Sequence, residues 1–96
     1  MRGGTTDAQF FVLAMLKVGG ELREEFNVRA NRDCYEVTDP QPGGLDPVTV
    51  DARTVRVLLR EGWIEVVPHT AGRRWSSYRI TGKGLDMVTK RVRRAG

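Results

Sequence analysis

Cysteine and histidine are almost missing from this chain of 96 residues, which contains one of each. Cys34 cannot form a disulfide within the chain, and a lone thiol fits the reducing conditions of a cytoplasm. His69 follows Pro68 in a predicted loop. Without a second histidine or a nearby cysteine, neither a zinc site nor a Cys–His nucleophilic pair can be assembled around it. We therefore expect no metal and no catalysis from these residues.

Long apolar runs and phosphate-binding glycine patterns are missing as well. No stretch approaches the roughly 20 apolar residues with which a helix crosses a bilayer, and the N-terminus shows no export pattern. Gly82-Lys83-Gly84 lacks the remaining residues of a phosphate loop or a dinucleotide fingerprint. Glu24-Glu25 could pair as general acid and base, but nothing in their spacing distinguishes them from a solvated acidic face. We expect a cytoplasmic protein that is not an enzyme, has no cofactor and does not contact a membrane.

Length and charge indicate one small domain, residues 1–96, with a basic second half. The apolar fraction is 40%, which is enough for a modest single core. The net charge is +4, yet residues 1–48 hold five basic and eight acidic residues, whereas residues 49–96 hold eleven and four. The second half therefore carries a charge of +7, which favours a polyanionic partner. The alternative is a solvated basic surface without a partner.

A helix is predicted at about 51–61. Asp51 is suited to cap it, because its carboxylate can accept the free amide hydrogens of the first turn. Gly62 can adopt the left-handed conformation that ends a helix. The apolar side chains recur at the spacing of one helical face; they are Val55, Leu58 and Leu59.

Residues 63–94 predict a β-hairpin followed by a last helix. Aromatic and β-branched residues indicate strands at 63–67 and 75–80, separated by a loop at 68–74. Thr81 is a cap for the last helix, whose predicted apolar face comprises Leu85, Val88 and Val92. Its cations are Lys83, Lys90, Arg91, Arg93 and Arg94. The last four are explained either by the dipole at the carboxyl end of the helix or by a tail that contacts phosphates.

Helix, tight exit, hairpin and helix in this order resemble the winged helix-turn-helix superfamily of bacterial and phage DNA-binding regulators. The residues that carry the resemblance are 54–59 (TVRVLL), 61–64 (EGWI) and 78–84 (YRITGKG). The resemblance implies an α+β winged-helix fold, with a three-helix core and a β-hairpin wing. It also implies a transcriptional regulator that places a recognition helix (about 51–61) in the major groove of double-stranded DNA. A basic wing (about 68–75) would then contact the adjacent minor groove or backbone.

Two groups of residues are expected to contact DNA. Those of the recognition helix lie off its apolar face; they are Arg53, Thr54, Arg56, Val57 and Arg60. Those of the wing are Arg73, Arg74 and Trp75. Arginine can donate two hydrogen bonds to guanine, and an arginine in the minor groove favours narrow A·T-rich sequences. The alternative for the helix residues is an exposed face that only confers solubility. Trp75 can instead pack on a partner or lie under an arginine.

The first predicted helix, at about 8–18, is apolar nearly all round. Thr5, Thr6 or Asp7 can cap it, and Gly19-Gly20 ends it. A surface helix of a small monomer needs only one apolar stripe. Two interpretations are therefore open: a central core helix, or a homodimer interface. The residues of that interface would be Phe10, Phe11, Leu13 and Met15.

Residues 21–50 occupy the place of the superfamily's second helix. Residues 21–28 are compatible with a helix or a strand, while 34–38 and 47–50 read as strands around a loop at 40–44. We predict an extra β-hairpin or a three-stranded insertion in place of the second helix. This departure keeps a second function open: a winged-helix module that binds a protein partner, as a small phage-type inhibitor or assembly adaptor, and does not read DNA.

Overall fold

The helices and strands are taken from a computed structural model, which describes residues 5–27, 29, 31–41, 43–44, 46–68 and 75–95. Within these residues, three α-helices pack on a five-stranded antiparallel sheet. The helices are α1 (Asp7–Lys17), α2 (Ala52–Arg60) and α3 (Gly82–Ala95). The strands are β1 (Glu21–Asn27), β2 (Arg32–Thr38), β3 (Val48–Val50), β4 (Ile64–Val66) and β5 (Trp75–Ile80).

The strands form one sheet in the order β3-β2-β1-β5-β4. β1 lies at its centre, where Leu22 is opposite Val37 of β2 on one side and Tyr78 of β5 on the other. The predicted three-stranded region at 21–50 is therefore confirmed, and it continues the sheet of the second-half hairpin. The helical alternative for 21–28 is wrong, because β1 pairs with a strand on both sides and alternation carries Leu22 into the core.

Side chains alternate across this sheet between a buried and a polar face. Leu22, Val37, Val50 and Ile64 join the helices in one core cluster. The opposite face carries side chains that are mostly charged and exposed; they include Arg23, Glu25, Glu36, Glu65 and Arg79. The domain is consequently a two-layer structure with one polar sheet face.

Helix α1 is the central core helix. Val12, Leu13 and Leu16 are buried, and the flanking apolar residues are half-buried against the same cluster; these are Phe10, Phe11 and Met15. Leu13 has no exposed surface, so its predicted place in a homodimer interface is wrong. The continuous apolar pattern is explained by the sheet, α2 and α3, all of which contact this helix.

The ends of α1 follow the local signals of the sequence. Thr6 is the N-cap, and the amide of Gln9 donates to its Oγ1 at 3.2 Å. The side chain of Gln9 accepts from the amide of Thr6 at 3.1 Å, which completes a capping box. Val18 is the C-cap, and Gly19 follows it at a φ of +102°.

The apolar faces of α2 and α3 are narrower than predicted. Val55, Leu58 and Val88 are buried, and Trp63 joins them with 6% of its surface exposed. The other predicted core residues are partly exposed; they are Leu59 at 38%, Leu85 at 39% and Val92 at 54%. A helix lying on a small sheet buries only the arc that touches its neighbours, so the flanking apolar residues stay in contact with solvent.

Candidate nucleic-acid interface

Helix α2 is fixed at its start and along one side. Asp51 is the N-cap, as predicted, and its Oδ1 accepts from the amide of Arg53 at 3.0 Å. Val55 and Leu58 are both fully buried in the core cluster. The helix is thereby held against the fold by one side, and the opposite side is left to solvent.

The exposed side of α2 carries three arginines. At 100° per residue, Arg53, Arg56 and Arg60 lie within about 60° of one another around the helix axis. They lie roughly opposite Val55 and Leu58, and all three are exposed. We call these three residues the α2 arginine stripe. It gives the helix a single cationic side about two turns long.

The other two predicted contact residues of α2 lie beside this stripe. Thr54 and Val57 are half-buried, since each is positioned between the exposed side and the core side of the helix. A side chain in that position can contact a ligand that covers the stripe, but it cannot project as far as an arginine. Of the five residues predicted in α2, the structure therefore brings three together on the exposed side.

The cations of the stripe are largely free of internal partners. Among the described residues, no hydrogen bond or ion pair involves the side chains of Arg53 and Arg56. Arg60 lies 3.7 Å from the carboxylate of Glu61, and its side chain is 71% exposed. An ion pair of that length and exposure contributes little and does not prevent another contact. The stripe can therefore offer its charge to a ligand.

A tight corner connects α2 to the hairpin and to α3. Gly62 adopts a φ of +76° after the helix, the left-handed exit that the sequence predicts. Thr81 closes the corner, because its Oγ1 donates to the carbonyl of Gly62 at 2.6 Å and its amide to that of Trp63 at 3.0 Å. A Cβ at Gly84 would lie 2.2 Å from the carbonyl oxygen of Trp63, so this position requires glycine. We call this segment the Gly62 corner; in it, the backbone of Gly62 and Trp63 packs directly against that of Thr81 and Gly84.

The predicted hairpin is present as β4 and β5. Ile64 is opposite Ile80 and Val66 is opposite Tyr78, and the amide of Val67 donates to the carbonyl of Ser77 at 2.8 Å. On the polar side, the Nε of Arg79 donates to Glu65 at 2.7 Å. Arg79 is therefore neutralised within the hairpin and adds no free charge to it.

The tip of this hairpin lies outside the described residues. The predicted wing contacts Arg73 and Arg74, and His69 as well, belong to that segment. Trp75 is the first residue of β5, where its backbone is paired opposite Glu25, and its side chain is not among those described. The contacts proposed for the wing consequently stay predictions.

Arg91 of α3 has a structural role that the sequence did not indicate. Its guanidinium donates to the carbonyls of Thr5 and Thr6 at 3.0 Å each and is ion-paired with Asp7. It also lies 4.6 Å from the ring centroid of Phe10. These contacts favour the structural explanation of Arg91, because its donors are used to anchor the start of α1; its role in a phosphate-contacting tail stays an untested prediction. On the same helix Lys83, Lys90 and Arg93 are exposed.

The core side of the sheet carries a carboxylate, that of Glu24, whose structural role was not predicted from the sequence. The hydroxyls of Tyr78 and Tyr35 donate to the two carboxylate oxygens of Glu24, at 2.7 and 3.1 Å. Their rings lie 6.4 Å apart. A signal was present, since Glu24 has the same parity in β1 as the buried Leu22 and so belongs to the core side. The contacts are those of a satisfied structural carboxylate.

Metal and membrane chemistry have no visible basis in the described part of the chain. Among those residues, no three or more His, Cys, Asp or Glu side chains are grouped so that they could hold a metal ion. No helix formed by them has the length and apolarity to cross a membrane.

The chain matches none of the known proteins and families with which it was compared. No protein-family model matches it, and no curated protein or solved structure does either. Its function therefore has to be inferred from its own residues.

Proposed function

We propose that this protein binds double-stranded DNA as a winged-helix transcriptional regulator, with α2 as the recognition helix and the β4–β5 hairpin as the wing. The α2 arginine stripe is the observation that carries the proposal. A major groove admits an α-helix, and arginine is the side chain that most often reads guanine there. Since the stripe lies opposite the buried side of α2, the helix can enter the groove without losing its packing.

The order of the elements supports the winged-helix assignment. Helix α2 leads through a single glycine turn into the β4–β5 hairpin, and α3 follows at once. β5 pairs with both β4 and β1, which ties the hairpin to the core. The bonds of the Gly62 corner hold α2 and the hairpin in a fixed relation, as recognition of one duplex by two elements requires.

The residues have different expected roles. Arg56 is at the middle of the stripe and is the best candidate to contact a base, while Arg53 and Arg60 at its ends are placed for phosphates. Thr54 and Val57 would contact the groove wall, because they lie beside the arginines and closer to the core of the domain. Arg73, Arg74 and Trp75 remain the proposed wing contacts.

A homodimer is part of the proposal, since two copies reading a two-fold site gain affinity and specificity together. Leu13 is excluded from its interface by burial. Phe10, Phe11 and Met15 keep some surface, although Phe10 is already covered in part by Arg91. A native-mass measurement at micromolar concentration decides the stoichiometry.

Selection of bound duplexes from a random pool, followed by anisotropy titrations over a range of salt, tests DNA binding. We expect the logarithm of the association constant to fall linearly with that of the salt concentration, with a slope of about −0.9 per phosphate contacted. Replacing Arg53, Arg56 and Arg60 together with Gln should abolish selective binding. The matched control replaces Lys17, Arg29 and Arg32, three exposed cations outside the stripe, and should bind as the wild type does. Equal losses in both triple variants would contradict the proposal.

A second function, a protein-binding module, is favoured by the polar face of the sheet. That face presents glutamates next to Arg23 and Arg79, each of which is already ion-paired. A stoichiometric protein partner that co-purifies with the chain and is released by replacing Glu25 and Glu36 with Gln would support this function. If the selection from the random pool enriches no duplex, the protein-binding module is then the better explanation.

A further inference from the structure

The side chain of Lys83 lies against the Gly62 corner. Its Cδ and Nζ are 3.8 and 4.0 Å from the point at which a Cβ on Gly62 would lie. Lys83 is exposed, and among the described residues no carboxylate lies within ion-pair distance of it. The ammonium group of Lys83 therefore lies at the carboxyl end of α2, beside Gly62, the residue that follows the Arg60–Glu61 pair.

Lys90 lies on the same side of α3 as Lys83. Seven residues separate Lys83 from Lys90, which places them within about 20° of one another around the helix and about 10 Å apart along it. Both are exposed, and Val88 of the same helix faces the core. The cationic side of α3 consequently begins beside the Gly62 corner, where α2 ends.

We propose that Lys83 and Lys90 form a second phosphate-contact site, over which the DNA backbone passes when α2 occupies the major groove. This inference rests on the proposed function and extends its footprint from the α2 arginine stripe across the corner to α3. The bonds of Thr81 to Gly62 and Trp63 link the end of α2 to the start of α3, so the backbone of the two lysines is already positioned relative to α2 before the duplex binds.

A structural role for Lys83 is the competing explanation. A cation at the carboxyl end of α2 interacts favourably with the partial negative charge of the last carbonyl groups. That role predicts a loss of stability on replacement and no change in DNA binding. Phosphate contact predicts the reverse, so one pair of measurements separates them.

Asp86 gives a test with the opposite sign. It is exposed, and it lies one turn from both Lys83 and Lys90 on the same side of α3. If a phosphate backbone passes over this side, the carboxylate of Asp86 repels it. Asp86→Asn should then tighten binding, roughly two- to fivefold at low salt, although it removes no cation from the site.

The experiment compares Lys83→Gln, Lys90→Gln and Asp86→Asn with Lys17→Gln as the control, on the full chain and a selected duplex. Thermal melting monitored by circular dichroism confirms that each variant is folded. We expect each of the two α3 lysine variants to lower the magnitude of the salt slope by about 0.9, and the control to leave it unchanged. Lys83→Arg should restore the wild-type slope, because it returns the charge.

The outcomes separate the two proposals. If Arg56→Gln weakens binding while Lys83→Gln and Lys90→Gln keep the wild-type salt slope, the second site is wrong and the proposed function stands. If the wild-type chain binds no duplex in a salt-dependent manner, the proposed function fails first and the second site fails with it. A lower melting temperature for Lys83→Gln with an unchanged slope assigns Lys83 to the stability of α2.

Discussion

The arginines of α2 and Arg91 of α3 have the same chemistry and opposite uses. Arg53 and Arg56 point away from the core, and no ion pair with a described residue involves them. Arg91 donates to two backbone carbonyls, pairs with Asp7 and lies over Phe10. A basic half-chain is therefore not the same as a basic surface, because only cations without internal partners are free to meet a ligand.

The difference arises from distance along the chain. The partners of Arg91 are residues 5–7, more than 80 positions earlier, so no local pattern identifies them. The stripe on α2 is produced by spacing within nine residues. Substitutions that separate stability from binding can sharpen this contrast or remove it.

The largest effect is expected at the buried side of α2. Leu58→Ala removes a fully buried side chain and should lower the free energy of unfolding by about 2–5 kcal/mol. Leu59→Ala, the neighbouring position at 38% exposure, should cost about 1 kcal/mol or less. Urea denaturation measures both. Similar losses in the two variants would show that the buried side of α2 extends to Leu59.

The second-largest loss of unfolding free energy is expected for Arg91→Met. It retains much of the apolar stem but removes the donors to Thr5, Thr6 and Asp7, which we expect to cost about 1–3 kcal/mol of unfolding free energy. Arg93→Met on the exposed side of the same helix is the control and should change stability by less than about 0.5 kcal/mol. A loss of DNA affinity without a loss of stability in Arg91→Met would remove the contrast with α2.

Loss of the α2 cap should have a smaller effect. Asp51→Ala removes the oxygen that accepts from the amide of Arg53, and the expected cost is about 1 kcal/mol. Asp51→Asn, which keeps a capping oxygen, should restore most of that loss. The pair is compared by thermal melting, and equal melting temperatures for Ala and wild type would mean that the cap does not stabilise α2.

The smallest effect on stability is expected from the stripe itself. Arg53→Gln and Arg56→Gln should each change the free energy of unfolding by less than about 0.5 kcal/mol, because neither side chain has a partner to lose among the described residues. Their effect on duplex binding should be large. Denaturation and anisotropy on the same preparations test this, and a destabilised Arg56→Gln would indicate an internal contact for that arginine.

Local signals predicted most of the elements. Asp51, Gly62 and Thr81 are each found in the capping or turn role that the sequence indicates, and β5 has the predicted bounds. The extra strands of the first half were predicted from alternation, yet one sheet uniting them with the hairpin was not. Pairing of β1 with β5 joins residues about 50 or more positions apart, which no window of sequence reveals.

The sequence by itself determined where most helices and strands begin and end, because caps, glycine turns and residue spacing act within a few neighbours. It also determined that α2 carries three arginines on one side. Only the tertiary structure decided which of the described cations are free, that α1 belongs to the core, and that Glu24 faces two tyrosines. Those outcomes depend on contacts between distant segments, which form only when the sheet assembles and the helices pack against it.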